Sequence, residues 1–107
     1  GNHTDYNEGF VLTAAVDYAT AVALIPRPGT AVRAHSAHPG YPDAAFDARA
    51  PVRAADDTRW ANYAKGVFHE MAAAGFPVGG CDLTVVSGVP DGSGVSSSAA
   101  LLVGVAT

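Results

Sequence analysis

Several large classes of protein are excluded by what this sequence has little of. It holds one cysteine among 107 residues, so no intramolecular disulfide can form, and the composition fits a reducing compartment. Lysine and arginine number 6 against 10 acidic residues, for a net charge of −4. That leaves no clustered basic surface of the kind nucleic acid requires. No apolar run reaches the roughly 20 residues that cross a bilayer. The longest, Ala19 to Pro26, has the length of a strand and contains Thr20. Gly1-Asn-His-Thr4 offers no basic region ahead of an apolar stretch, so no secretory leader is expected. The sequence therefore predicts a cytoplasmic protein with neither nucleic acid nor membrane among its partners, and a monomer. Asn2-His3-Thr4 matches a glycosylation sequon, a triplet that arises by chance too readily to carry weight without a leader.

What is present is an apolar, compact composition. Hydrophobic residues make up 49% of the chain, which rules out a disordered tail. Alanine, glycine and valine dominate and point to a tightly packed α+β mixture, and the length suits one small domain or part of a larger one. Phe10-Val-Leu12 begins an apolar stretch that resumes at Ala19–Ile25, and the Pro26-Arg-Pro-Gly29 run after it predicts a strand closed by a turn. Further strands are predicted at Ala31–Ser36, Ala45–Ala48 and Leu83–Ser87, with a turn at Pro39–Pro42. The clearest helix is predicted over Asp56–Ala74. Asp56, Asp57 and Thr58 supply a cap and negative charge at its start, and Trp60, Ala64, Val67, Phe68 and Met71 recur at helical spacing. Gly75 and Pro77 end it. Trp60 and Met71 are read as core. The chain opens inside a polar cluster and closes in the apolar run Ala99–Thr107 without a capping residue. A piece of a longer protein is the expectation.

The strongest chemical signal is Val89-Pro-Asp-Gly-Ser-Gly-Val-Ser-Ser-Ser-Ala-Ala-Leu101, read as strand, glycine-rich loop and helix. Gly92 and Gly94 allow a tight turn and close approach to a ligand. A helix beginning near Ser96 would turn the N–H groups of Ser96, Ser97 and Ser98 outward. Orphan donors and the helix dipole both favour an anion there. A flexible Gly/Ser linker has a similar composition, but the apolar helix directly after it favours the anion site. Gly-Lys-Ser/Thr is absent, so this is not a Walker A loop, and Lys65, the one lysine, lies on the preceding helix. The second signal is His3-Thr-Asp-Tyr-Asn7. It concentrates donors, acceptors and one carboxylate as a polyol site does. On these residues alone, a turn in which Asp5 and Asn7 bond their own backbone is the plainer account. His35 and His38 lack further ligands at metal spacing and are assigned to an exposed strand end.

Taken together, the clusters carry a family resemblance. Gly1-Asn-His-Thr-Asp-Tyr-Asn7 closely resembles the Gly-Glu-His-Thr-Asp-Tyr-Asn signature of galactokinases, and Glu8-Gly-Phe-Val-Leu12 continues as that family does. Trp60-Ala-Asn-Tyr-Ala-Lys-Gly66 is similar to its Trp-x-Asn-Tyr-x-Lys-Gly segment. Pro90–Ala100 resembles the phosphate loop of the GHMP kinases, Pro-x-Gly-x-Gly-Leu-Ser-Ser-Ser-Ala-Ala. The motifs fall in family order along the whole chain.

The resemblance implies an incomplete GHMP kinase N-terminal domain of α+β class, related to domain 2 of ribosomal protein S5, with the sugar motif at 1–7 and the phosphate loop at 90–100. It implies phosphorylation of the anomeric hydroxyl of galactose by ATP with Mg²⁺. By the same resemblance Asn2, His3, Thr4 and Asp5 bind the sugar. Gly92, Ser93, Gly94, Val95, Ser96, Ser97 and Ser98 wrap the ATP phosphates, and Ser98 contacts the metal. Asn2 stands where the family carries glutamate, and Val95 where it carries leucine. The family's arginine ahead of the first motif is not among these residues. Nor are its magnesium-binding glutamate, its catalytic aspartate and a sugar-contacting tyrosine, so no catalytic base is assigned in this chain. The alternatives are another GHMP small-molecule kinase, for galacturonate, N-acetylgalactosamine or mevalonate, a non-catalytic regulator that binds sugar and ATP, and a structural fragment with no function of its own.

Overall fold

The computed structural model describes residues 3–107, and of Asp5 the backbone alone. Two-residue alternation builds its sheet. In β2 (Ala31–Ser36), Val32, Ala34 and Ser36 are buried and the residues between them exposed. In β4 (Cys81–Ser87), Cys81, Leu83 and Val85 are buried. Successive strand side chains point to opposite faces, so one face becomes core and the other meets water. With β1 (Thr20–Pro26) and β3 (Ala44–Asp47) the sheet runs in the order β1-β4-β2-β3. β4 lies between β1, which it pairs antiparallel, and β2, which it pairs parallel.

A parallel pair needs a long crossover. Here the crossover from β2 to β4 carries β3, a 3-10 turn at Asp57–Ala61 and helix α1 (Asn62–Ala73). The sequence predicts one continuous helix from Asp56, and the structure breaks it in two. Asp56 caps the first turn through Oδ1, which accepts from the Thr58 N–H at 2.9 Å. That turn is then held tight by its neighbours. The Trp60 indole Nε1 donates to the Pro42 carbonyl at 2.8 Å. The Asn62 amide both donates to the Ala54 carbonyl and accepts from the Ala54 N–H. The far end of α1 is as expected. Gly75 sits at φ +86, its N–H bonds the Ala72 carbonyl, and that of Phe76 bonds Met71, a pairing that closes a helix through a left-handed glycine.

Helix α2 (Ser97–Ala106) and α1 close over the buried face of the sheet. The core joins Val32, Ala34, Leu83 and Val85 to Ala64, Phe68 and Val105. The Phe46 ring meets Phe68 edge-on at 5.5 Å, and Met71 packs partly buried against the cluster. A Cβ on Gly104 would stand 2.8 Å from Val22 Cγ2, so α2 approaches β1 at the distance only glycine permits. On the open face Asp82 accepts from Arg33 Nε at 2.7 Å and from Arg27 Nε at 2.8 Å. These bonds hold its carboxyl below the usual range. Burial pushes the Cys81 thiol up.

No strand forms over Phe10–Leu12, where the apolar stretch begins. Phe10 and Leu12 are fully exposed, and regular structure resumes at Thr20. Without a neighbouring strand or a covering layer, an apolar run has nothing to pair with or bury against.

Candidate phosphate loop and sugar motif

The loop after β4 shows why its glycines are where they are. Gly92 and Gly94 have φ +68 and +74, and Ser96 follows at φ +66. The left-handed region is free to glycine but costs a residue with a Cβ roughly 1–2 kcal/mol. Ser96 therefore stands in a conformation that the surrounding loop imposes. It is the N-cap of α2, yet its hydroxyl makes no capping bond. Helix α2 starts one residue after the expected position. Among the described residues no backbone N–H from Gly94 to Ala99 donates to a protein atom, and the hydroxyls of Ser96, Ser97 and Ser98 are also unpartnered. The Ser93 hydroxyl donates to the Pro90 carbonyl at 2.8 Å and closes the turn. What results is a helix start with a row of available donors, a geometry suited to an anion with several oxygens.

A cavity of about 420 Å³ opens beside this loop. Gly92, Ser97 and Ser98 form its loop side, with Trp60, Tyr63 and Leu101 among its other walls. Trp60 is thus both core, as expected, and wall. An aromatic and aliphatic lining with a few polar groups is the usual make-up of a small-molecule site. The long-range contact that the sequence did not reveal joins Tyr41 to Asp91. The Tyr41 hydroxyl donates to Asp91 Oδ2, and this bond pushes the phenol up. Its ring stacks on Trp60 at 6.0 Å and meets His38 at 4.5 Å, tilted by 34°. Lys65, as expected, stays away from the loop, its Nζ lying 5.8 Å from the Phe46 ring centre. It lines a larger, open groove of about 1160 Å³ over α1 that, among the described residues, holds none of either sequence cluster.

The other cluster is built locally. A 3-10 turn covers Asp5–Asn7. The Thr4 carbonyl accepts from Asn7 and Gly9, and the Asn7 amide donates to the His3 carbonyl at 2.8 Å. His3 and Tyr6 meet edge-on at 5.7 Å. The turn account of Asn7 is therefore realised, while the side chains of His3 and Thr4 stay exposed. Asn2 and the Asp5 side chain lie outside the described residues. Among the described residues none before Thr20 lines the cavity beside the loop, so the structure does not bring the described part of this turn there. His35 pairs with Asp43 at 2.6 Å, and no group of metal-ligating side chains converges among the described residues.

The two clusters are also what comparison with known families singles out. The galactokinase galactose-binding signature matches residues 1–26. The GHMP kinases N terminal domain matches residues 62–107. The two matches, one to a galactokinase signature and one to a GHMP kinase domain, both point to the galactokinases among the GHMP kinases. The GHMP match takes in α1, β4, the loop and α2, and the galactokinase match takes in the polar turn and β1. The mixed sheet with two helices on one face is the α+β architecture expected of a GHMP kinase N-terminal domain.

Proposed function

We propose that this chain binds galactose and ATP and forms part of an enzyme that transfers the γ-phosphoryl group of ATP to the anomeric hydroxyl of galactose. The observation that carries the reading is the row of unpartnered backbone donors from Gly94 to Ala99, set beside a cavity with an aromatic wall. In this reading Gly92 to Ser98 receive the phosphates. Backbone N–H groups and the α2 dipole supply, from fixed positions, the electrostatic stabilisation that a lysine supplies in P-loop enzymes. The polar turn takes the sugar through Asn2, His3, Thr4 and Asp5, the carboxylate accepting from hydroxyls and His3 orienting them.

Mg²⁺ suits the hard oxygen of Ser98, whose hydroxyl has no protein partner among the described residues, and phosphate oxygens would make up most of the remaining ligands. When bound, the metal neutralises charge on the transferred phosphoryl group. In the transfer the anomeric oxygen bonds the γ-phosphorus as the bond to the β–γ bridging oxygen breaks. ADP leaves, and the hydroxyl proton passes to a base that we do not assign among residues 1–107.

Replacing Ser98 by alanine in the full chain tests the loop. Loss of one group acting on the developing phosphoryl charge should cost about 2.7–4 kcal/mol in kcat, with a smaller change in KM for galactose. An unchanged kcat at saturating Mg²⁺ would remove Ser98 from the site.

A further inference from the structure

Short polar side chains in this protein repeatedly capture the backbone N–H two residues ahead. Ser36 takes that of His38, Asp47 that of Arg49, Asp56 that of Thr58 and Ser87 that of Val89. This is the ordinary behaviour of aspartate and serine in turns. Asp91 is placed to do the same. It heads the turn Asp91-Gly-Ser-Gly94, and the N–H groups two and three residues ahead of it belong to Ser93 and Gly94. Its carboxylate instead accepts from the Tyr41 hydroxyl, and both residues line the cavity beside the loop.

Tyr41 is well anchored for the purpose. Its ring packs against those of His38 and Trp60, its N–H bonds the His38 carbonyl at 3.1 Å, and Pro42 next to it accepts from the Trp60 indole. The hydroxyl stays protonated across the physiological range, since its partner pushes it up rather than down, so it remains a donor. Segment 38–42 thus comes to the phosphate loop already fixed to the 3-10 turn ahead of α1.

We propose that Tyr41 is a positioning residue for the phosphate loop. By engaging the Asp91 carboxylate it keeps that carboxylate from occupying the loop's own N–H donors, which are the donors an incoming polyphosphate needs. Without the latch Asp91 would fold back, satisfy those donors with its own negative charge, and compete with the ligand for them. The proposal rests on the assignment of this loop to the phosphates of ATP.

Calorimetric titration of the full chain with MgATP tests it, with melting temperature as a control. Tyr41→Phe keeps the ring stack and removes only the donor. It should weaken MgATP binding roughly tenfold, the lower end of what a hydrogen bond to a charged group is worth, with little change in melting temperature. The double variant Tyr41→Phe/Asp91→Ala should bind MgATP about as tightly as the parent, because the competing carboxylate is gone. Parent-like binding by Tyr41→Phe would overturn the latch. So would weakened binding that the double variant fails to restore, since Tyr41 would then act through packing and not through Asp91. A parent chain that does not bind MgATP would instead refute the assignment of the loop, and the latch with it.

Discussion

A carboxylate and a carboxamide have nearly the same shape, but the first offers acceptors alone and the second one acceptor oxygen and two donors. At position 5 that difference separates two roles. If Asp5 accepts from galactose hydroxyls, Asp5→Asn in the full chain should weaken galactose use by about 1.5–3 kcal/mol, the worth of a hydrogen bond to a charged group. KM for ATP should stay the same, because the phosphate loop is a separate element. If Asp5 serves only the turn, asparagine replaces it well, and steady-state kinetics with both substrates will match those of the parent. The structure sharpens this contrast. The turn is fastened in part by the Asn7 amide on the His3 carbonyl and by the Thr4 carbonyl.

At the scale of elements, glycine spacing decides how closely α2 approaches the sheet. Gly104 lies in the helix interior, where glycine costs about 0.5–1 kcal/mol relative to alanine, and its place is explained by Val22, 2.8 Å from where a Cβ would stand. Gly104→Val should push α2 off β1 and destabilise the fold by roughly 1–3 kcal/mol. Denaturant unfolding would show this as a lower midpoint, and a midpoint equal to the parent's would mean that α2 does not pack on β1 in this way. Elements set by local pattern were legible in the sequence. β2 spans the residues its alternation marks, and α1 ends at the glycine that ends its pattern. Elements set by distant partners were not. The start of α1 tightens into a 3-10 turn because Trp60 and Asn62 bond Pro42 and Ala54. Phe10–Leu12 is apolar yet pairs with no strand of the sheet. The loop's glycines and serines marked a candidate anion site, whereas Tyr41, fifty residues from Asp91, gave no sequence signal at all.

Across the whole molecule, one mixed sheet carries both proposed ligand elements on the sequence flanking it. The polar turn precedes β1 at one edge, and the phosphate loop follows β4, which pairs with β1 along its full length. Two motifs that were each ambiguous alone become specific when one chain holds both. A helix N-terminus receives many anions, and a polar turn bonds many hydroxyls, but a kinase that acts on a sugar needs the two together. Phosphorus NMR of the full chain with galactose and MgATP tests this joint claim most directly. The account predicts a new resonance from phosphate esterified at the anomeric carbon, appearing in step with ADP and absent when galacturonate, N-acetylgalactosamine or mevalonate replaces galactose. Galactose and MgATP that remain unchanged, or phosphate transferred to one of the other acceptors in preference to galactose, would contradict it.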